Sequence, residues 1–201
     1  MQKALAAWLL LAVSAASLTS PKDVVRVAVE QAMRAVQDSD PARPPTTERR
    51  RLEIRAIAER LFDFTEMARR SLAKHWSDRS AEQREEFIRL FRGLLEHSYF
   101  GKLENYAGER IAYIGETVEG GFATVRSKII SGRKIEIPID YRLHLVGSRW
   151  AVYDVLIDGV SLVGVYRAQF SRIIQASSYD DLVQKLRLKQ LETSSLDRSA
   201  R

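Results

Sequence analysis

The stretch RWAVYDVLIDGVSLVGVYRAQFSRII, residues 149–174, decides the expected fold of this chain. Its first part, residues 150–157, is apolar on both faces except at Asp154, which predicts a strand that is covered on both sides. Asp158-Gly159 supplies the residues of a tight turn. Apolar residues then recur at the spacing of an amphipathic helix, at Val163, Tyr166, Phe170 and Ile174. The strand is therefore predicted to pass directly into a helix.

The remaining periodicity predicts helices first, strands in the middle and helices at the end. Helices are predicted at residues 21–36, from about residue 47, at 66–75 with Thr65 as N-cap, from the Ser80-x-x-Gln83 capping box to about residue 105, and at 179–191. Strands are predicted at residues 110–117, 122–130, 134–145 and 149–157, with glycine-containing turns between them. Pro138, inside the third strand, predicts a bulge or an unpaired edge position. The expected fold is α+β, a four-stranded antiparallel meander with helices packed on one face, where a curved sheet can enclose a cavity.

The amino terminus has the pattern of a secretory signal peptide. Lys3 precedes an apolar run at residues 4–13 and the small residues SAAS at 14–17, so cleavage is expected after Ala16. The apolar run is well short of the roughly 20 residues that span a bilayer. The chain thus divides into a signal peptide at residues 1–16, a single domain at 17–192 and a polar tail at 193–201 with no reason to be ordered.

Composition narrows the possible chemistry. The chain has no cysteine, which excludes disulfides, thiolate metal sites and cysteine nucleophiles. The net charge of +6 is mildly basic, but no nucleic-acid recognition motif accompanies it. Solvated helix faces are the favoured interpretation of the arginines, and attraction to anionic headgroups or acidic partner surfaces is the second.

The sequence contains few residues in patterns that are typical of catalysis or metal binding. His75, His97 and His144 lack metal-ligand spacing, and the chain has no P-loop, nucleophile elbow or Rossmann glycine pattern, so neither a metal nor a cofactor is predicted. His75 is expected at a helix end. His97 is either a core residue, as we favour, or a hydrogen-bonding residue at the mouth of a cavity. Among the acidic residues, Asp154 is the strongest candidate for a catalytic role. Either it is the base of an enzyme, or, as we favour, it pairs with a helix arginine or a backbone N–H.

Three segments carry a resemblance to a known family: WAVYDVLIDGVSLV at residues 150–163, SDRSAEQREEFIRLF at 77–91 and SYDDLVQKLR at 178–187. With the strands between them, residues 24–191 resemble the MlaC, or toluene-tolerance, family of periplasmic phospholipid carriers. The resemblance implies a cystatin-like, cone-type fold whose apolar cavity holds two acyl tails. Periodicity alone favours a packed core over a cavity, and only the resemblance reverses that preference.

The resemblance also implies the function. We expect a soluble, non-enzymatic periplasmic carrier that shuttles phospholipid and so maintains outer-membrane lipid asymmetry. The implied partners are an inner-membrane ABC transporter complex with its substrate-binding ring protein and an outer-membrane lipoprotein–porin complex. A hopanoid carrier, or a cone-fold enzyme that uses Asp154, are the alternatives. The residues predicted to line the cavity are Phe64, Met67, Phe91, Leu94, Leu95, Val125, Ile129, Ile137, Ile139, Tyr141, Leu143, Val160 and Val163.

Overall fold

A computed structural model of the chain describes residues 19–37, 47–104, 108–132 and 135–199. The predicted signal peptide lies outside the described residues. The described helices are α1 (Pro21–Gln37), α2 (Thr47–Leu61), α3 (Phe64–Leu72), α4 (Ala81–Glu104), α5 (Leu162–Ala176) and α6 (Tyr179–Ser199), with a 3₁₀ turn at Ala73–His75. The strands are β1 (Arg110–Glu119), β2 (Phe122–Ile130), β3 (Glu136–Val146), β4 (Arg149–Ile157) and β5 (Val160–Ser161). None of the described helices is long and apolar enough to cross a bilayer.

The strands form one antiparallel sheet in the order β1-β2-β3-β4-β5. This confirms the α+β class and the antiparallel pairing, but the predicted count of four strands is wrong. Asp158 and Gly159 have φ angles of 51° and 77°, the left-handed conformation of a two-residue hairpin turn. The turn folds the chain back, so that Val160 pairs with Ile157 before α5 begins. A short strand therefore separates β4 from the helix.

Pro138 lies in the central strand β3 without a bulge. The β3–β4 register shifts elsewhere, between Arg142 and Leu143. Opposite Pro138, β4 has already ended, and the N–H of Asp158 donates to the Pro138 carbonyl at 2.9 Å. Pro138 lies opposite Lys128 of β2, so the prediction of a bulge or an unpaired edge position is wrong. Proline is tolerated here because β4 ends opposite it and requires no N–H from this residue.

Local hydrogen bonds explain where two helices begin. The Ser80 hydroxyl accepts from the Gln83 N–H at 3.2 Å, and the Gln83 side chain accepts from the Ser80 N–H at 3.0 Å, so the predicted capping box is confirmed. The predicted Thr65 cap of α3 is wrong. Asp63 caps α3 instead, accepting from the Glu66 N–H at 2.9 Å. A tertiary contact fixes Asp63 in this position, because the Asp63 N–H donates to the Val152 carbonyl of β4.

Helix α6 continues past the end predicted at Leu191 and reaches Ser199. Residues 192–199, ETSSLDRS, contain neither glycine nor proline. Because neither helix-breaking residue is present, the sequence gives no strong signal for the end of the helix in this segment.

The buried apolar residues form two clusters. The helical cluster joins α3, α4, α5 and α6 around Phe87 and Phe91. The sheet cluster packs α1 and the end of α2 against β2, β3 and β4, around Val125 and Leu143. Phe62 contacts both clusters. The predicted arrangement of helices on one sheet face therefore describes α1 and α2, whereas α3 to α6 pack mainly on one another beside β4.

Candidate functional site

The structure divides the predicted cavity residues between the two clusters and one end of the sheet. Six of them belong to the helical cluster or pack against it: Phe64, Met67, Phe91, Leu94, Leu95 and Val163. The sheet cluster, with its margin, takes Val125, Tyr141 and Leu143. The end of the sheet takes Ile129, Ile137, Ile139 and Val160. The assignment of these thirteen residues to lipid contacts stays a prediction.

The residues at the end of the sheet form a continuous apolar row. Ile129 lies opposite Ile137, Ile139 lies opposite Ile157, and Ile157 lies opposite Val160. Directly opposed residues share a face, as do Ile137 and Ile139, which are two positions apart. Ile139 is buried, but 38% of Ile137 and 58% of Val160 are exposed. This row leaves apolar surface in contact with solvent where the helices cease to cover the sheet.

An open groove of about 330 Å³ adjoins this row. Its walls are the sheet end, one face of α5, and single residues from α4 and α6. The lining residues are Tyr99, Ile157, Val160, Leu162, Val165, Tyr166, Gln169 and Lys189. Val160 is the one predicted cavity residue among them. The contribution of α5 had a sequence signal that we missed, since positions 162, 165, 166 and 169 have the spacing of one helix face.

The lining of the groove combines apolar and polar side chains. Ile157, Val160 and Leu162 are apolar, whereas Gln169 and Lys189 are polar. Leu162 and Gln169 are seven residues apart on α5, a rise of about 10 Å. Burial, with a smaller contribution from Tyr166, raises the pKa of Tyr99, so its hydroxyl remains protonated at neutral pH. A molecule with an apolar part and a polar part matches this arrangement.

Asp154 positions the helix that forms the groove wall. Only 4% of the residue is exposed, and its carboxylate accepts from the Ser161 hydroxyl at 2.7 Å and from the Val163 N–H at 3.1 Å. The Ser161 hydroxyl in turn accepts from the Gly164 N–H at 2.9 Å. Asp154 therefore supplements the Ser161 N-cap of α5. The favoured interpretation, a carboxylate that pairs with a backbone N–H, is confirmed.

A second groove, of about 280 Å³, lies between α2, α4 and α6 and has a different character. Arg55 binds Glu96 at 2.9 Å, Arg92 binds Glu59 at 2.8 Å, and Arg187 binds Glu86. These ion pairs connect α4 to its two neighbouring helices. The charged lining is unsuited to an apolar ligand.

The histidines do not form a site. Among the described residues, no three His, Asp or Glu side chains are placed to hold a metal ion. His144 Nε2 lies 3.1 Å from the Asp63 carboxylate, beside the start of α3. The prediction that His97 is a core residue is wrong, since the side chain is exposed. His97 follows the buried Leu95 by two residues, or about 200° around the helix, and so faces away from the core.

The fold and the groove define an α+β protein with an amphipathic surface site. Residues 26–188 match the sequence model of the family described as MlaC protein, and the chain belongs to this family. It is 29% identical over 120 residues to the intermembrane phospholipid transport system binding protein MlaC of Haemophilus influenzae, covering 57% of this chain and 56% of that protein. It is 26% identical over 100 residues to the toluene tolerance protein ttg2D of Pseudomonas putida, covering 49% and 46%. The chain spans about half the length of the curated relatives it matches.

The fold is similar to that of a phospholipid-binding protein from Ralstonia solanacearum, whose structure was solved in complex with a phospholipid. The TM-score is 0.78, with 22% sequence identity, over 88% of this chain and 99% of that one. The likeness therefore covers both the sheet and most of the helices.

Proposed function

We propose that the protein is a non-enzymatic phospholipid carrier of the periplasm, exported by the signal peptide at residues 1–16. Membership of the MlaC family is the observation that carries the proposal. The amphipathic groove supports it, because a lipid carrier needs apolar surface that is accessible to solvent before the ligand arrives. Val160 and Val165, which are 58% and 38% exposed, supply such surface. Two curated relatives carry names that refer to phospholipid transport and to toluene tolerance.

The energetics favour acyl chains as the buried part of the ligand. Each CH₂ group removed from water contributes about 0.8 kcal/mol. Covering the row from Ile129 to Val160 also removes protein apolar surface from water. A handful of methylene groups from each tail therefore gives substantial affinity without any ion pair.

The volume of the groove indicates that one wall moves during binding. About 330 Å³ is near the lower end of the roughly 300–1,000 Å³ range of small-molecule sites, and two long acyl tails need more. The strands are held by ladder hydrogen bonds, and the start of α5 is bound to Asp154 of β4. Movement of the helices beyond this attachment is therefore the proposed way in which the groove enlarges.

The proposed carrier exchanges lipid with two membrane-bound assemblies. These are the inner-membrane ABC transporter complex with its substrate-binding ring protein and the outer-membrane lipoprotein–porin complex. The arrangement of Asp154, Ser161 and α5 supports a carrier rather than the alternative enzyme, because the Asp154 carboxylate already accepts two hydrogen bonds that position the helix.

Mass spectrometry of a solvent extract tests the proposal. The protein is purified from its native compartment without detergent, and the extract is quantified against protein. We expect phospholipid at a ratio approaching one per chain. A hopanoid in its place would identify a different cargo, and an extract without any amphiphile would overturn the carrier function.

A further inference from the structure

We infer that the Tyr113 hydroxyl of β1 donates a hydrogen bond to the bound lipid, and that the acceptor is a carbonyl oxygen of an acyl ester. The inference rests on the proposed function and adds a chemical requirement to it, namely that the carrier recognises the ester linkage as well as the acyl tails. It also gives the ligand a position on the sheet, with its ester groups over β1 and β2 and its tails toward β4 and β5.

The first argument is that Tyr113 has an unused hydrogen-bond donor. Its hydroxyl oxygen is buried, and within the part of the chain that the structure describes it has no hydrogen-bond partner. Burial raises the pKa of Tyr113, with a smaller contribution from Glu30 of α1, but the Glu30 carboxylate itself binds Arg26 at 3.3 Å. A buried hydroxyl without a partner is costly, so we expect an acceptor from a ligand or from water beside it.

The second argument is the position of Tyr113 on the sheet. Tyr113 lies opposite Ser127, and Ser127 lies opposite Ile139. Ile139 in turn lies opposite Ile157 of the apolar row. The four residues therefore share one face of the sheet, on a line that crosses from β1 to β4 over three strand spacings, or about 14 Å. A lipid that lies along this line with its tails over Ile139 and Ile157 places its ester groups beside Tyr113.

The third argument is the chemistry of the surroundings. Tyr113 packs against the apolar sheet cluster, and its raised pKa keeps the hydroxyl protonated at neutral pH. The Ser127 hydroxyl already donates to the Ile139 carbonyl at 3.0 Å, so its one proton is used. A neutral carbonyl acceptor is buried in such surroundings at a lower cost than a charged phosphate. In a phospholipid, the ester carbonyls are the neutral acceptors that lie between the headgroup and the tails.

Access to Tyr113 depends on α1. The start of this helix is bound to β1, because the Lys22 N–H donates to the Glu116 carboxylate at 2.7 Å. Further along α1, Val25 belongs to the sheet cluster and Val29 packs against it. Acyl chains can replace apolar contacts of this kind, since both are dispersion contacts between hydrocarbon groups. The inference therefore requires α1 to move about its attached start when lipid enters.

Binding measurements with ester-linked and ether-linked lipids test the inference. The lipid-free full chain is titrated with dipalmitoyl phosphatidylglycerol and with its dihexadecyl diether analogue, which has the same headgroup and chain length but no carbonyl. The variants are Tyr113→Phe, which removes only the hydroxyl, and the matched control Tyr153→Phe. Tyr153 lies on the opposite face of the sheet, where its ring contacts the rings of the cross-strand neighbours Phe122 and His144.

We expect the unaltered protein to bind the ester lipid about three- to tenfold more tightly than the ether lipid, the effect of one hydrogen bond. Tyr113→Phe should abolish this preference by weakening binding of the ester lipid alone, whereas Tyr153→Phe should retain it.

Equal affinities of the unaltered protein for the two lipids would overturn the inference, as would an unchanged preference in Tyr113→Phe. A loss of stability in Tyr113→Phe with the lipid preference intact would also overturn it, because the hydroxyl would then bind a structural water. Failure of the unaltered protein to bind either lipid would instead refute the proposed function.

Discussion

The carboxylate of Asp154 in β4 accepts a 2.7 Å hydrogen bond from the hydroxyl of Ser161, seven residues later, across the hairpin that leads into α5. A second bond, from the Val163 N–H, makes the same carboxylate part of the helix N-terminus. The strand and the helix wall of the groove are thereby held together by one buried side chain.

Replacement of Asp154 by Asn should destabilise the protein. The amide cannot accept hydrogen bonds at both positions, and the loss of a bond to a buried charged group costs about 1.5–3 kcal/mol. The free energy of unfolding, measured by urea denaturation, reports this loss. Asp140→Asn, on the neighbouring strand β3, should change it by less than about 0.5 kcal/mol. Equal stability of the two variants would contradict the role assigned to Asp154.

Gly159→Val should lower the free energy of unfolding by more than about 1 kcal/mol, because the φ angle of 77° is strained for a β-branched residue. The hairpin turn that precedes α5 depends on this conformation. Gly121→Val is the control, since Gly121 lies in another hairpin, has no left-handed φ and has no atom within 4 Å of an added Cβ. Thermal unfolding that shifts equally in both variants would show that Gly159 is an ordinary turn residue.

Tyr113→Phe should leave stability at pH 8 unchanged or raised. Within the described residues the buried Tyr113 hydroxyl has no hydrogen-bond partner, so its removal loses no bond. Tyr179→Phe is the contrasting substitution, because the Tyr179 hydroxyl donates to the Gln83 carbonyl at 3.0 Å, and it should cost about 1 kcal/mol. Urea denaturation of both variants compares the two hydroxyls. A comparable loss of unfolding free energy in both variants would contradict the absence of a hydrogen-bond partner at the Tyr113 hydroxyl.

The buried hydroxyl of Tyr113 also predicts a loss of stability at alkaline pH. Burial, with a smaller contribution from Glu30, raises the pKa of Tyr113 to about 12, above the ordinary value near 10. The folded state therefore retains a proton that the unfolded state releases, so the contribution is fully present below about pH 10 and is lost as the pH rises to about 12. Tyr113→Phe should reduce the difference in unfolding free energy between pH 8 and pH 11. Identical differences in the variant and the parent would refute this titration.

Val165→Asp should lower the amount of bound lipid much more than it lowers stability. The side chain lines the groove and is already 38% exposed, so the new charge is hydrated in the unliganded protein but is desolvated against acyl chains. Leu52→Asp is the control, since Leu52 is exposed on α2 and does not line the groove. The comparison uses lipid per chain from solvent extracts and the unfolding midpoint of each variant. Equal lipid content in the two variants would place the tails elsewhere.

Local sequence determined the elements whose signals are complete within a few residues. Apolar patterning and turn residues located β2 and β4, and the capping box located the start of α4, because these signals lie within a few neighbouring residues. Asp158-Gly159 likewise indicated the tight turn that ends β4. Residue types along 77–91, 150–163 and 178–187 were sufficient to indicate the MlaC family, which the match over residues 26–188 confirms.

Tertiary structure decided which apolar surfaces were covered and which remained accessible. Asp63 became the cap of α3 because β4 supplies a carbonyl to its N–H, a partner that no local pattern could reveal. Periodicity assigned Ile137, Val125 and Phe91 equally to apolar faces, but packing buried Val125 and Phe91 in different clusters and left Ile137 partly exposed. Hydrophobic patterning indicates that a face is apolar enough to be buried. The packing of the helices against the sheet determines whether other protein residues bury that face or leave it exposed. Val160 of β5 and Lys189 of α6 line one groove only because the folded chain brings these two elements together.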